Sequence, residues 1–136
     1  MPQVFGDELR QFEILVEKYN QCFYSKDLLA LKDMYVSDGG ICYWDNHPAC
    51  DSQTLQDHEN KVGAFFEQGT IEELSTDNLM AFKSGKGACV VVTFRYRNKP
   101  IPRVRTTLYL EREDGLWKIR HMHHSFDPNE QLIGIQ

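Results

Sequence analysis

Apolar residues recur at steps of three and four through Leu9, Phe12, Leu15, Val16, Tyr19, Cys22 and Phe23, which predicts a long amphipathic helix over about 7–24. Leu28, Leu31, Met34 and Tyr35 repeat the spacing in a shorter helix, for which Ser25 or Asp27 offers a cap and Asp38-Gly39-Gly40 a stop. Ile41 to Trp44 reads as a short strand. A third helix is expected after a cap at Asp51 or Ser52, with Leu55, His58, Val62, Phe65 and Phe66 on one stripe and Gly69 at its end. Beyond Gly69 the period falls to two. Four strands are expected, at about 70–82, 88–97, 103–112 and 116–124, punctuated by Ser84-Gly85-Lys86-Gly87, Asn98-Lys99-Pro100 and Glu113-Asp114-Gly115. Short turns between consecutive strands imply an antiparallel meander. Helices first and strands last describe an α+β domain, with three helices from the N-terminal half covering one face of a curved antiparallel sheet, and no linker or repeat divides residues 1–136.

Alternation along the strands separates two faces. Ala88, Val90, Val92, Phe94 and Tyr96 alternate with Cys89, Val91, Thr93, Arg95 and Arg97, and Val104, Thr106, Leu108 and Leu110 alternate with Arg105, Thr107, Tyr109 and Glu111. The even positions are drier and should pack on the helices. The last strand depends on its hairpin. A three-residue loop Glu113-Asp114-Gly115 pairs Arg112 with Leu116 and turns Lys118, Arg120, Met122 and His124 inward, whereas a two-residue Asp114-Gly115 turn exchanges the sets. The three-residue loop is the expected one, because it gathers Trp117, Ile119, His121 and His123 with Arg95, Arg105 and Tyr109. That mixed aromatic, aliphatic and basic surface suits contact with a second copy of the chain, so a homodimer through the sheet face is expected.

Composition narrows the function. The 136 residues carry a net charge of −5, yet the split is uneven: fifteen acids and five bases in residues 1–80, five acids and ten bases in 81–136. An acidic chain without a Lys/Arg run is a poor partner for nucleic acid, and Arg95, Arg97, Arg103 and Arg105 are read as outward-facing. Cys22, Cys42, Cys50 and Cys89 have no metal-ribbon spacing, the start of the chain lacks a secretory pattern, and Ala88 to Val92 is the longest apolar run. Reduced thiols, a cytoplasmic setting and no membrane span are therefore expected.

Asp114-Gly-Leu-Trp117-Lys-Ile119-Arg-His121-Met-His123-His-Ser125 resembles the closing motif of the SnoaL-like branch of the nuclear transport factor 2-like superfamily, and also the same strand in the association domain of calcium/calmodulin-dependent kinase. The order helix, helix, strand, helix, four strands is similar to that fold over nearly the whole chain. The resemblance implies a cone-shaped sheet and dimers formed through it. Its activities range over isomerases, dehydratases, transport adaptors and oligomerisation hubs, so fold alone does not select one. Beside ketosteroid isomerase, Tyr19 falls at the oxyanion tyrosine and Tyr43 at the general-base aspartate, with Asp45 two residues further; the second oxyanion group falls at Leu108. The pocket arginines of the kinase domain fall near Phe94, Leu108 and His124.

These positions converge on one expectation: a small, largely apolar molecule inside the cone, lined by Tyr19, Tyr43, Phe94, Thr106, Leu108, Arg120 and His124, with Asp45 or His58 as the candidate catalytic base beside a Tyr donor. A cofactor-independent isomerase, dehydratase or hydrolase is one alternative, and an interaction module without chemistry is the other. His121 and His123 share a strand face as two metal ligands do, but they lack a third and fourth donor, so neither metal nor other cofactor is expected.

Overall fold

The computed structural model describes residues 1–130. Helix α1 (Gly6–Tyr24) buries Phe12, Val16, Tyr19 and Cys22 along the expected stripe. Helix α2 (Leu28–Asp33) is capped by Asp27, whose carboxylate accepts from the Ala30 amide. It is shorter than its stripe suggests, since Met34 closes it and Tyr35 already bridges to the sheet beside Ile119. Strand β1 (Cys42–Trp44) leads through one 3₁₀ turn (Pro48–Cys50) to helix α3 (Leu55–Phe66). Its cap is Thr54, whose hydroxyl accepts from the Asp57 amide, and not Asp51 or Ser52. Ser52 instead pairs its backbone with Tyr43 and holds the connection against β1.

Strands β2 (Leu74–Ser84), β3 (Gly87–Tyr96), β4 (Val104–Glu113) and β5 (Leu116–Phe126) form the antiparallel meander. The sheet order is β1-β5-β4-β3-β2, and β1 adds to the edge in parallel with β5, so the sheet is mixed rather than wholly antiparallel. Parity in β3 and β4 follows the sequence: Ala88, Val90, Val92, Phe94, Thr106, Leu108 and Leu110 are buried against the helices. Tyr96 is the exception, exposed where β3 runs out.

The β4–β5 hairpin corrects the expected loop. Glu113 pairs with Leu116 across a two-residue turn in which Asp114 has φ 49° and Gly115 φ 80°. Positive φ at both positions matches the right-handed twist of the strands, which a short Asp-Gly connection favours. Trp117 and Ile119 consequently face the helices. Ile119 is fully buried and Trp117 packs its ring 5.5 Å from Phe12, so neither belongs to the outer face. A β-bulge then intervenes: Leu110 pairs with Ile119 and Tyr109 with His121, leaving Arg120 as the extra residue. The bulge restores the phase, placing Met122 and His124 inside and His123 outside. A second bulge lies between Asp77 and Met80 in β2, where Asn78 takes a left-handed φ of 56°. Both bulges bend their strands and add to the sheet's twist.

Candidate functional site

Two helices, three strands and the turn after α2 each contribute one polar side chain to a single buried cluster. Tyr19 comes from the inward stripe of α1, Tyr35 from just past the end of α2, Tyr43 from β1, His58 from α3, Thr106 from β4 and His124 from β5. All six are buried. The Tyr35 hydroxyl and His58 Nε2 share a hydrogen bond of 2.9 Å, and Thr106 Oγ1 and His124 Nδ1 one of 2.7 Å. Tyr43 lies between the two histidines, its ring 4.3 Å from that of His58 and 5.5 Å from that of His124. Phe94 seals the cluster, 6.5 Å from Tyr19 in a stacked arrangement and 6.0 Å from His124.

Asp45 supplies the charge at the cluster's edge. The Tyr43 hydroxyl donates to Asp45 Oδ2 at 3.1 Å, while the Asn46 amide donates to Oδ1 at 2.6 Å. Asn46 in turn accepts from the Phe126 amide, which ties this loop to β5. The field of Asp45 reaches Tyr19, Tyr43 and Tyr96 and helps to raise each phenol's pKa, after the larger effect of burial. Burial lowers His58 to about 4, aided by His124 and Lys61, and burial also lowers His124. The site therefore contains protonated phenols and neutral imidazoles near pH 7, with one carboxylate at its edge. Such a set donates and accepts hydrogen bonds without presenting a cation.

Of the residues named from sequence, Tyr19, Tyr43, Asp45, His58, Phe94, Thr106 and His124 are brought together. Leu108 lies one inward position along β4 from Thr106 and is fully buried between Val90 and Met122. Arg120 does not point into the cluster. Its guanidinium grips Asp38 through two bonds of 2.8 and 2.9 Å, Glu111 at 2.6 and 2.9 Å, and the Gly40 carbonyl. The bulge turns it toward those acids, which hold it as a staple between the α2–β1 loop and the hairpin. Tyr35 was missed because its helical spacing reads as core; its signal is a phenol on an apolar stripe, which needs a buried partner.

Beside Tyr35 and His58 the side chains leave little free space. The cavity touching Tyr35 and His58, between α2 and α3, holds about 10 Å³, roughly one water molecule. A larger concavity, about 370 Å³, lies on the opposite face of the sheet beside Arg105, Thr107 and His123. Outward residues Arg95, Arg105, Tyr109, His121 and His123 keep their expected side, joined by Trp44, whose ring meets both His121 and His123 edge-on at 5.2 and 5.4 Å. His121 Nδ1 is engaged with the Cys42 carbonyl at 2.7 Å. Among the described residues no three His, Cys, Asp or Glu side chains cluster as metal ligands, the four cysteines are unpaired, and no helix is long and apolar enough to cross a membrane.

A family model described as a SnoaL-like domain matches residues 13–128. No curated protein matches the sequence. Among solved structures, a candidate dehydratase of the NTF2-like (nuclear transport factor 2-like) family from Streptomyces avermitilis superposes with a TM-score of 0.76 at 12% identity, covering 88% of this chain and 96% of that one. A candidate calcium/calmodulin-dependent protein kinase type II association domain from Thiobacillus denitrificans gives 0.73 at 13% identity, covering 85% and 94%. An NTF2-like protein of unknown function from Pseudomonas putida gives 0.71 at 16% identity, covering 87% and 85%. At such identities the likeness is one of fold.

Proposed function

The chain belongs to the SnoaL-like domain family, and from that premise we propose that it binds a small, largely apolar molecule whose carbonyl or hydroxyl group is held by the Tyr19, Tyr43, His58, Thr106 and His124 cluster. The observation that carries this reading is the composition of the cluster. Three phenols, two imidazoles and a threonine hydroxyl are buried together within an otherwise largely apolar core. Each would cost about 1–3 kcal/mol if left without a partner, and apolar residues of similar volume would fill the same space without that demand. Neutral donors and acceptors in a low-dielectric interior suit a ligand with one polar group on an apolar body.

Entry requires side chains to move, since the adjoining cavity is about 10 Å³. That same filling favours a second reading, an interaction module whose polar cluster only fixes the packing. If a reaction takes place here, Asp45 is the base the geometry offers. A carboxylate with a phenol beside it, at 3.1 Å, suits proton transfer next to a carbonyl or elimination of water without a cofactor. The partner is a second copy of the chain, met through the outward row of Phe82, Cys89, Tyr109 and His121.

Titration with acetophenone, an apolar ring carrying one acceptor, separates the two readings. Ligand binding predicts saturable shifts in the NMR ring signals of His58, His124 and Tyr43, weakened in Tyr43→Phe. Unmoved ring signals in the folded protein would leave the interaction module.

A further inference from the structure

The opposite face of the sheet carries a different chemistry. Of the four arginines between residues 95 and 105, Arg95 pairs with Asp77, Arg97 with Glu73 at 3.4 Å and Arg103 with Glu130 at 2.6 Å. Among the described residues Arg105 forms no ion pair, and it is exposed on the rim of the 370 Å³ concavity. The register explains the hollow. Thr93, Arg105 and Ser125 stand in one cross-strand row, and Thr107 and His123 in the next. Short threonines form the floor between longer neighbours, and Asn78, turned out by its left-handed bulge, closes one end.

Every polar side chain lining this hollow can donate: one guanidinium, one imidazole, four hydroxyls and one amide, of which only the Thr106 hydroxyl is turned inward, to His124. Asp77, the carboxylate across from Thr93 in the same row, is engaged by Arg95. Donors in this number exceed what a carboxylate's two oxygens take up, whereas a phosphate monoester presents three terminal oxygens and a dianionic charge. We propose that this groove is a second binding site, for a small phosphate monoester, with Arg105 clamping the phosphate and Thr93, Thr107, Ser125 and Asn78 supplying neutral donors. It is separate from the interior cluster, because Arg105 and Thr107 alternate along β4 with the inward Thr106 and Leu108.

Phenyl phosphate and benzoate, compared at constant ionic strength by amide NMR, test the proposal on the intact chain. Phenyl phosphate should give saturable shifts at Thr93, Arg105, Thr107 and Ser125, and bind more tightly than benzoate. Arg105→Gln should weaken it roughly tenfold, the loss expected for a charge-assisted pair, and Thr107→Val by a smaller factor, whereas Arg97→Gln should bind as the parent does. Absence of saturable shifts, equal binding of benzoate, or unchanged affinity in both groove variants would overturn it.

Discussion

His58 and His124 show how burial sets a protonation state. Neither has a carboxylate within hydrogen-bond reach; Tyr35 and Thr106 are their partners, at 2.9 and 2.7 Å. Burial keeps the His58 pKa at about 4 against an ordinary 6.5. As pH falls below about 6.5, the unfolded chain takes up the proton first, so stability is lost between roughly pH 6.5 and 4. For His58 the loss is on the order of 3 kcal/mol. Urea midpoints should therefore drop from pH 7 to pH 4.5, and His58→Gln, which cannot titrate, should flatten the slope; an equal slope in the variant would remove His58 from the account. From sequence, helical spacing and strand parity already put both histidines inside. Their partners were not legible, because Tyr35 and His58 meet across 23 residues through a tertiary contact that no local pattern encodes.

At the scale of elements, strands β3 and β4 were readable because two-residue alternation runs through them without interruption, with Ala88 to Phe94 and Thr106 to Leu110 buried at every second position. Strand β5 was not, because two departures offset one another. The two-residue turn flips Trp117 and Ile119 inward, and the bulge at Arg120 flips the phase back, so His121 to His124 fall on the sides that the three-residue loop had implied. A bulge leaves little trace in composition. Here Arg120 tolerates the irregular position because Asp38 and Glu111 are placed to receive it. The turn itself has a direct test. Gly115 has φ 80° and nothing within 4 Å of a added Cβ, so Gly115→Ala should cost about 1–2 kcal/mol in denaturation through backbone strain alone. An unchanged midpoint would contradict the two-residue geometry.

For the whole molecule, the uneven charge of the sequence becomes a division between layers. The acidic first 80 residues hold helices α1, α2 and α3, and the basic remainder holds most of the sheet. Contacts such as Lys83 with Glu8 and Arg120 with Asp38 join them. On the outer sheet face, the row of Phe82, Cys89, Tyr109 and His121 and the polar groove around Arg105 lie side by side. If the row through Tyr109 forms the contact between copies, Tyr109→Glu should shift the mass measured by light scattering toward that of one chain, and an unchanged mass would place the contact elsewhere. The interior polar cluster gives the domain its functional reading, and a crystal structure grown with acetophenone examines it most directly. The ring is expected among Tyr19, Phe94 and His124, with its oxygen in hydrogen-bond contact with a hydroxyl or imidazole of the cluster. Side chains still packed at their present distances, with the ketone absent from the interior, would contradict it.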